Sequence, residues 1–118
     1  MAIKLYGYPK CSTCRKAEKF LQQRGRTFQS VDITVAPPTK TELTAMLAQV
    51  AGKLQSLFNT SGQMYRDMNL KDELPKLSVE AALDLLAKHG KLIKRPFLVI
   101  DGRPAAVGFD ESKWSTVL

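Results

Sequence analysis

Ile3 and Leu5 alternate with Lys4 and Tyr6 in IKLYGY, which predicts a first strand that Gly7 and Pro9 end. The period then changes. Between Ser12 and Arg24 the apolar positions Cys14, Ala17, Phe20 and Leu21 recur at three- and four-residue spacing, predicting a helix that Gly25 closes and placing Cys11 at or next to its N-cap. TFQSVDI reads as a second strand, and the helix between the two strands implies a right-handed crossover and a parallel pair.

APPTKTEL sets a proline pair before Thr39 and Glu42, the spacing of a capping box, and predicts a helix to about Val50. KLQSLFN is expected to be helical, NTSG a turn, and MYRDMNL one or two further helical turns. SVEAALDLLAKHG predicts a long helix with Ser78 as N-cap, Leu83, Leu85 and Leu86 inside and Gly90 at the stop. Phe97 to Ile100, the Asp101–Gly102 turn signal and a strand ending near Gly108 form a hairpin, after which Asp110 caps a last helix to Leu118. The order is strand, helix, strand, helical segment, helix, strand, strand, helix.

A chain of 118 residues, 44% of them apolar, is long enough for one core, so a single α/β domain over 1–118 is expected. No run approaches a membrane span, and the polar turn within the first ten residues does not fit a signal peptide; a cytoplasmic location is expected. Charge is distributed unevenly. Residues 1–26 carry Lys4, Lys10, Arg15, Lys16, Lys19, Arg24 and Arg26 against Glu18 alone, so six of the seven excess positive charges lie around the cysteines. Such a field attracts an acidic protein, nucleic acid or a small oxyanion and favours a thiolate; a solvated basic helix face is the plainer alternative. No recognition module or interleaving of aromatic and basic residues supports direct nucleic-acid binding.

The only two cysteines stand in YPKCSTCRKA, separated by two residues. A redox pair, half of a metal site, or two small core residues would each fit that spacing. A structural zinc site needs four ligands, and the chain adds only the distant His89, better placed as a helix C-terminal cap, so no metal is expected. Cys14 lies on the apolar helix face, where a packing role also fits. Cys11 is different: at a helix start the unpaired N–H groups and the macrodipole favour negative charge on its sulfur, and Lys10 and Arg15 would add to this. Cys14, one turn on, would then reach the first sulfur and form the disulfide that releases a bound partner.

Together, YPKCSTCRKA, PPTKTEL, LIKRPFLV and VGFDE resemble the arsenate reductase-like (ArsC/Spx) family of thioredoxin-fold proteins, over nearly the whole chain. The resemblance implies a thioredoxin-like fold, a mixed four-stranded sheet with a helical insertion at about 39–77. It implies a cis-proline at Pro96, which would bring Arg95 near Cys11 to grip an oxyanion or hold the thiolate. Catalytic roles are thus expected for Cys11, Cys14 and Arg95, and substrate contacts for Lys10, Ser12, Thr13, Asn59 and Pro96.

Glutathione-dependent reductases of the family surround the oxyanion with three arginines. Here only Arg95 matches, since Asn59 and Gly108 stand at the other two positions and neither Arg66 nor Arg103 aligns by motif. At about 1.5–3 kcal/mol for each hydrogen bond to a charged group, that loss argues against efficient arsenate reduction. The resemblance leaves a thiol–disulfide oxidoreductase without bound cofactor, served by glutathione, glutaredoxin or thioredoxin as external reductant. The alternative is an Spx-type redox sensor that binds the C-terminal domain of the RNA polymerase α subunit. A monomer is expected.

Overall fold

The computed structural model describes residues 1–118. Strand β1 (Ile3–Gly7) leads into helix α1 (Ser12–Gln23) and strand β2 (Gln29–Asp32); helices α2 (Lys40–Gln49), α3 (Gln63–Asp67), α4 (Leu70–Glu73) and α5 (Val79–Lys88) follow. Strands β3 (Phe97–Ile100) and β4 (Arg103–Val107) and helix α6 (Glu111–Val117) complete the chain. The sheet order is β2-β1-β3-β4, with β1 and β2 parallel and the other pairs antiparallel. This is the mixed four-stranded arrangement that the motifs imply. Pro104, which cannot donate to a ladder, sits in the edge strand β4, where it costs least.

Strand alternation divides the core between the two sheet faces. Ile3, Leu5, Leu98 and Ala106 point to one face and bury Ala17, Phe20 and Leu21 of α1 with Trp114 of α6. Tyr6, Phe97 and Val99 point to the other and bury Leu43 and Met46 of α2, Leu83 and Leu86 of α5, and Leu57, Phe58 and Tyr65 from the intervening segment. The helical insertion therefore builds half of the core rather than decorating it.

Two local expectations change, and a third holds for a different reason. TFQSVDI pairs as a strand only over Gln29–Asp32, because Phe28 leaves the ladder to pack against the α1 and α6 cluster. KLQSLFN forms a single 3-10 turn over Leu54–Leu57, after which Phe58 pairs with Ile93 as an isolated antiparallel bridge. Hydrogen bonds from Asn59 N–H to Leu92 O (2.7 Å) and from Lys94 N–H to Leu57 O (2.8 Å) flank that bridge. Gly90 stands just past the helix end, as expected, but not for a left-handed cap. Helix α5 ends at Lys88, and Gly90 is required for close approach, since a Cβ there would lie 1.8 Å from the Ile33 carbonyl oxygen. Gly25 does close α1, in the left-handed region at φ +67°.

The capping box at α2 has a second use. Glu42 Oε1 accepts from Thr39 N–H (3.0 Å) and from the Tyr6 hydroxyl (2.8 Å), while Oε2 pairs with Lys4 Nζ at 3.1 Å, tying α2 to the middle of β1. Burial alone would raise the Glu42 pKa, but the Thr39 amide, the Tyr6 hydroxyl and Lys4 together hold it below the ordinary carboxylate value. A carboxylate more acidic in the folded chain stabilises it fully above about pH 4.3 and loses that contribution as pH falls through the lower folded value. Glu42→Gln is expected to cost about 1–2 kcal/mol at neutral pH. In urea melts at a series of pH values, the gap between the variant and the parent protein should close below the carboxylate range.

Candidate active site

Strand β1 delivers the chain to the cysteines. After Gly7 a tight turn runs through Tyr8, Pro9 and Lys10, closed by Cys11 N–H donating to Tyr8 O at 3.0 Å and braced by Arg15 Nη1 on Pro9 O at 3.3 Å. Cys11 is the N-cap of α1, with extended backbone, and its Sγ accepts from Cys14 N–H at 3.2 Å. A sulfur thus fills the role a serine or aspartate oxygen usually has at a helix start, satisfying one of the orphan donors of the first turn.

The two thiols occupy different surroundings. Cys11 is partly exposed, whereas Cys14 is 1% exposed and packed beside Gly7, where even a glycine-to-alanine Cβ would lie 3.5 Å from its Sγ. Burial pushes the Cys14 thiol up to about 12, and its hydrogen bond to Cys11 and the proximity of that group push in the same direction. The Tyr8 amide and the Arg95 charge oppose this without overcoming it. Cys14 is therefore a protonated thiol across the physiological range.

The Arg95–Pro96 bond is cis, as expected. Arg95 stacks its guanidinium over the Tyr8 ring, 5.1 Å from the centroid, and its Nη1 reaches Lys91 O at 3.5 Å. It lies in the same cleft as Cys11. That cleft, about 720 Å³, also contains Lys10, Ser12, Thr13 and Asn59, so six of the eight residues singled out in the sequence line one cavity. Cys14 and Pro96 are the other two; both are buried and do not line it.

Of the far wall, the motifs place only Gly108 at the site. Val107, Gly108 and Phe109 and the start of α6 form that wall, together with Lys94 and Lys113. Trp114 Nε1 donates to Gly108 O at 3.0 Å, and Gly108 N–H donates to Pro96 O at 2.8 Å, so Gly108 is held on both sides. Phe109 packs edge-on against Trp114, with ring centroids 5.0 Å apart. The signal was the VGFDE motif: glycine at a position of positive φ (+75°) followed by an aromatic and a helix cap.

No second guanidinium joins Arg95. Arg66 binds Ser61 O and Gln63 Oε1 near its own helix, and neither it nor Arg103 lines the cleft. Four cations, Lys10, Lys94, Arg95 and Lys113, instead face one carboxylate, Asp110, whose Oδ1 already accepts from Lys113 N–H. The arrangement can hold an anionic group beside an accessible sulfur, with a second sulfur in reserve one helical turn away.

The sequence profile of the ArsC family matches residues 6–117. YusI of Bacillus subtilis strain 168, described as an uncharacterised protein, is 45% identical over 114 residues, covering 97% of this chain and 96% of its own. The global transcriptional regulator Spx of Streptococcus pyogenes serotype M6 is 26% identical over 111 residues, covering 94% of this chain and 81% of its own. Among solved structures, a possible arsenate reductase from Streptococcus mutans UA159 superposes with a TM-score of 0.90 at 39% identity, covering 98% of both chains.

The difference between the thiols is directly measurable. Alkylation of the native protein with iodoacetamide at pH 8, followed by peptide mass spectrometry, should modify Cys11 alone. Cys14, about four pH units below its titration and shielded from solvent, should react only after denaturation. Equal labelling of both would contradict the assigned burial.

Proposed function

Because the chain belongs to the ArsC family and has the thioredoxin-like fold, we propose that it is a thiol–disulfide oxidoreductase in which Cys11 is the nucleophile and Cys14 the resolving thiol. The observation that carries this reading is the Cys14 N–H to Cys11 Sγ hydrogen bond at a helix start, with one sulfur open to the cleft and the other buried behind it. In the first step Cys11 Sγ, as thiolate, attacks one sulfur of a substrate disulfide. That S–S bond breaks, a mixed disulfide forms, and the leaving thiolate departs with the electron pair.

Resolution follows from the same geometry. Cys14 is kept protonated first by burial and then by its interaction with Cys11. Once Cys11 is tied up in the mixed disulfide that interaction is lost, while the Tyr8 amide and the Arg95 charge still favour the Cys14 thiolate. Cys14 then attacks Cys11 Sγ, and its proton goes to the second departing thiolate. The substrate gains two electrons and two protons, one from Cys14 and one from water, to become two thiols; the protein becomes the Cys11–Cys14 disulfide, and an external dithiol or two molecules of a monothiol restore it. Arg95 and Lys10 place positive charge in the cleft that contains Cys11, and Ser12, Thr13 and Asn59 contact substrate, with Pro96 behind them. Glutathione, glutaredoxin and thioredoxin are the candidate reductants.

A regulatory reading rests on a specific observation, the exposed basic face of α1 formed by Arg15, Lys16 and Lys19, together with the similarity to Spx. The same disulfide would then alter docking to an acidic partner, such as the C-terminal domain of the RNA polymerase α subunit. Pull-down of that domain by reduced and by oxidised protein separates the readings, since a sensor requires a difference between the two and an enzyme requires turnover.

The oxidoreductase reading is tested with Cys14→Ser. Under mild oxidation with oxidised glutathione this variant should accumulate a stable one-to-one adduct at Cys11, read by intact mass, whereas the parent protein should not. A variant that forms no adduct, or a parent protein that holds its adduct equally long, would sink the mechanism.

A further inference from the structure

The cleft at Cys11 does not end where a bare oxyanion would be full. Asn59 and Lys94 also line a second, adjoining hollow of about 630 Å³, whose remaining wall is mostly polar, with Lys53, Gln55, Ser56, Thr60 and Ser61 beside Leu54 and Phe58. The two hollows form one trough, with Lys94 at the point where they meet. Its backbone is pinned there by the hydrogen bond to Leu57 O, and Asn59 is pinned opposite by its bond to Leu92 O.

Gly108 makes room for the Lys94 side chain. A Cβ on Gly108 would stand 2.9 Å from Lys94 Cε and 3.5 Å from Nζ, so the lysine stem lies close across a backbone whose φ of +75° favours glycine. That backbone is itself fixed on both sides, by Pro96 O and the Trp114 indole. Lys94 has no ion-pair partner among the carboxylates; the salt bridges of the molecule involve Lys4, Lys40 and Lys76. An uncommitted ammonium thus rests on a rigid platform over the trough, within the cavity that contains the accessible sulfur.

We propose that Lys94 is a specificity-determining residue that binds the carboxylate of a peptide-sized thiol or disulfide, which lies along the trough with its sulfur at Cys11. This deepens the oxidoreductase reading and rests on it for the sulfur chemistry, but the anion site itself does not need exchange to occur. Size favours such a ligand, because the second hollow extends well past what a tetrahedral oxyanion fills. Charge agrees: Lys53 lies farther along the trough, and the only carboxylate facing either hollow is Asp110, already engaged as a helix cap.

Two measurements test this and keep it separate from the catalytic reading. The first is the rate of mixed-disulfide formation at Cys11 with oxidised glutathione, which is anionic and peptide-sized, divided by the rate with hydroxyethyl disulfide, which is neutral and small. That ratio should fall about three- to fivefold in Lys94→Gln, the scale of one exposed charge pair, and return in Lys94→Arg. In both reactions the thiolate displaces one sulfur of the probe, so a general loss of nucleophilicity cancels in the ratio. The second measurement uses Cys11→Ser, which cannot exchange, titrated with reduced glutathione and followed by the amide NMR shifts of Asn59, Thr60 and Lys94. Its dissociation constant should rise about three- to fivefold when Lys94→Gln is added. An unchanged constant overturns the inference whatever the exchange rates show. If the parent protein exchanges with neither probe while binding still depends on Lys94, the oxidoreductase reading fails and the anion site stands.

Discussion

The arrangement of the site depends on one hydrogen bond, from the Cys14 amide to the Cys11 sulfur at the first turn of α1. It fixes three things at once. It caps the helix, it holds Cys11 Sγ at the first turn of α1, and it sets Cys14 one turn on, with its side chain buried against the sheet. The sheet then decides the difference between the thiols: Cys14 packs beside Gly7 at the end of β1 and is buried there, while Cys11 stays partly exposed at the cap. A cysteine exposed at the cap and a cysteine packed on the sheet are two consequences of the same turn.

What surrounds that sulfur distinguishes this chain from the three-arginine pattern of the reductases it resembles. Arg95 is present and stacked on Tyr8, but Asn59 and Gly108 bring no guanidinium, and neither Arg66 nor Arg103 compensates. Lysines supply the positive field instead. An ammonium is a point charge with rotatable donors, whereas three guanidinium forks fix the geometry of a small oxyanion. A lysine-lined trough is better matched to an anionic group on an extended ligand than to a compact tetrahedral one. The Asn59 side of that trough exists because the helical insertion pairs with the strand-like stretch at Ile93, just before Arg95.

Much of the fold was legible because local signals agreed with one another. Thr39 and Glu42 announced α2, Ser78 announced α5, Asp110 announced α6, and the Asp101–Gly102 turn fixed the β3–β4 hairpin; each is where its motif put it. The near wall of the site was legible for the same reason, since the turn through Lys10 and the first turn of α1 are contiguous in sequence. Lys94, Phe109 and Lys113 were not, because they join the cleft through contacts between distant segments: the Phe58–Ile93 bridge and the Trp114 indole on Gly108. Gly90 was placed correctly at the end of α5, but the reason for a glycine there was hidden. Its need for a missing side chain comes from the Ile33 carbonyl across the fold, which no window of local sequence contains.

The central claim is that Cys14, though buried and protonated, stands within bonding reach of Cys11 and closes on it. Equilibration of the protein in glutathione redox buffers of increasing oxidising strength, followed by acid quenching and disulfide mapping, tests this most directly. The account predicts one two-electron transition to an intramolecular Cys11–Cys14 disulfide that reverses on reduction. Contradiction would be an equilibrium state in which Cys11 carries glutathione while Cys14 remains a free thiol.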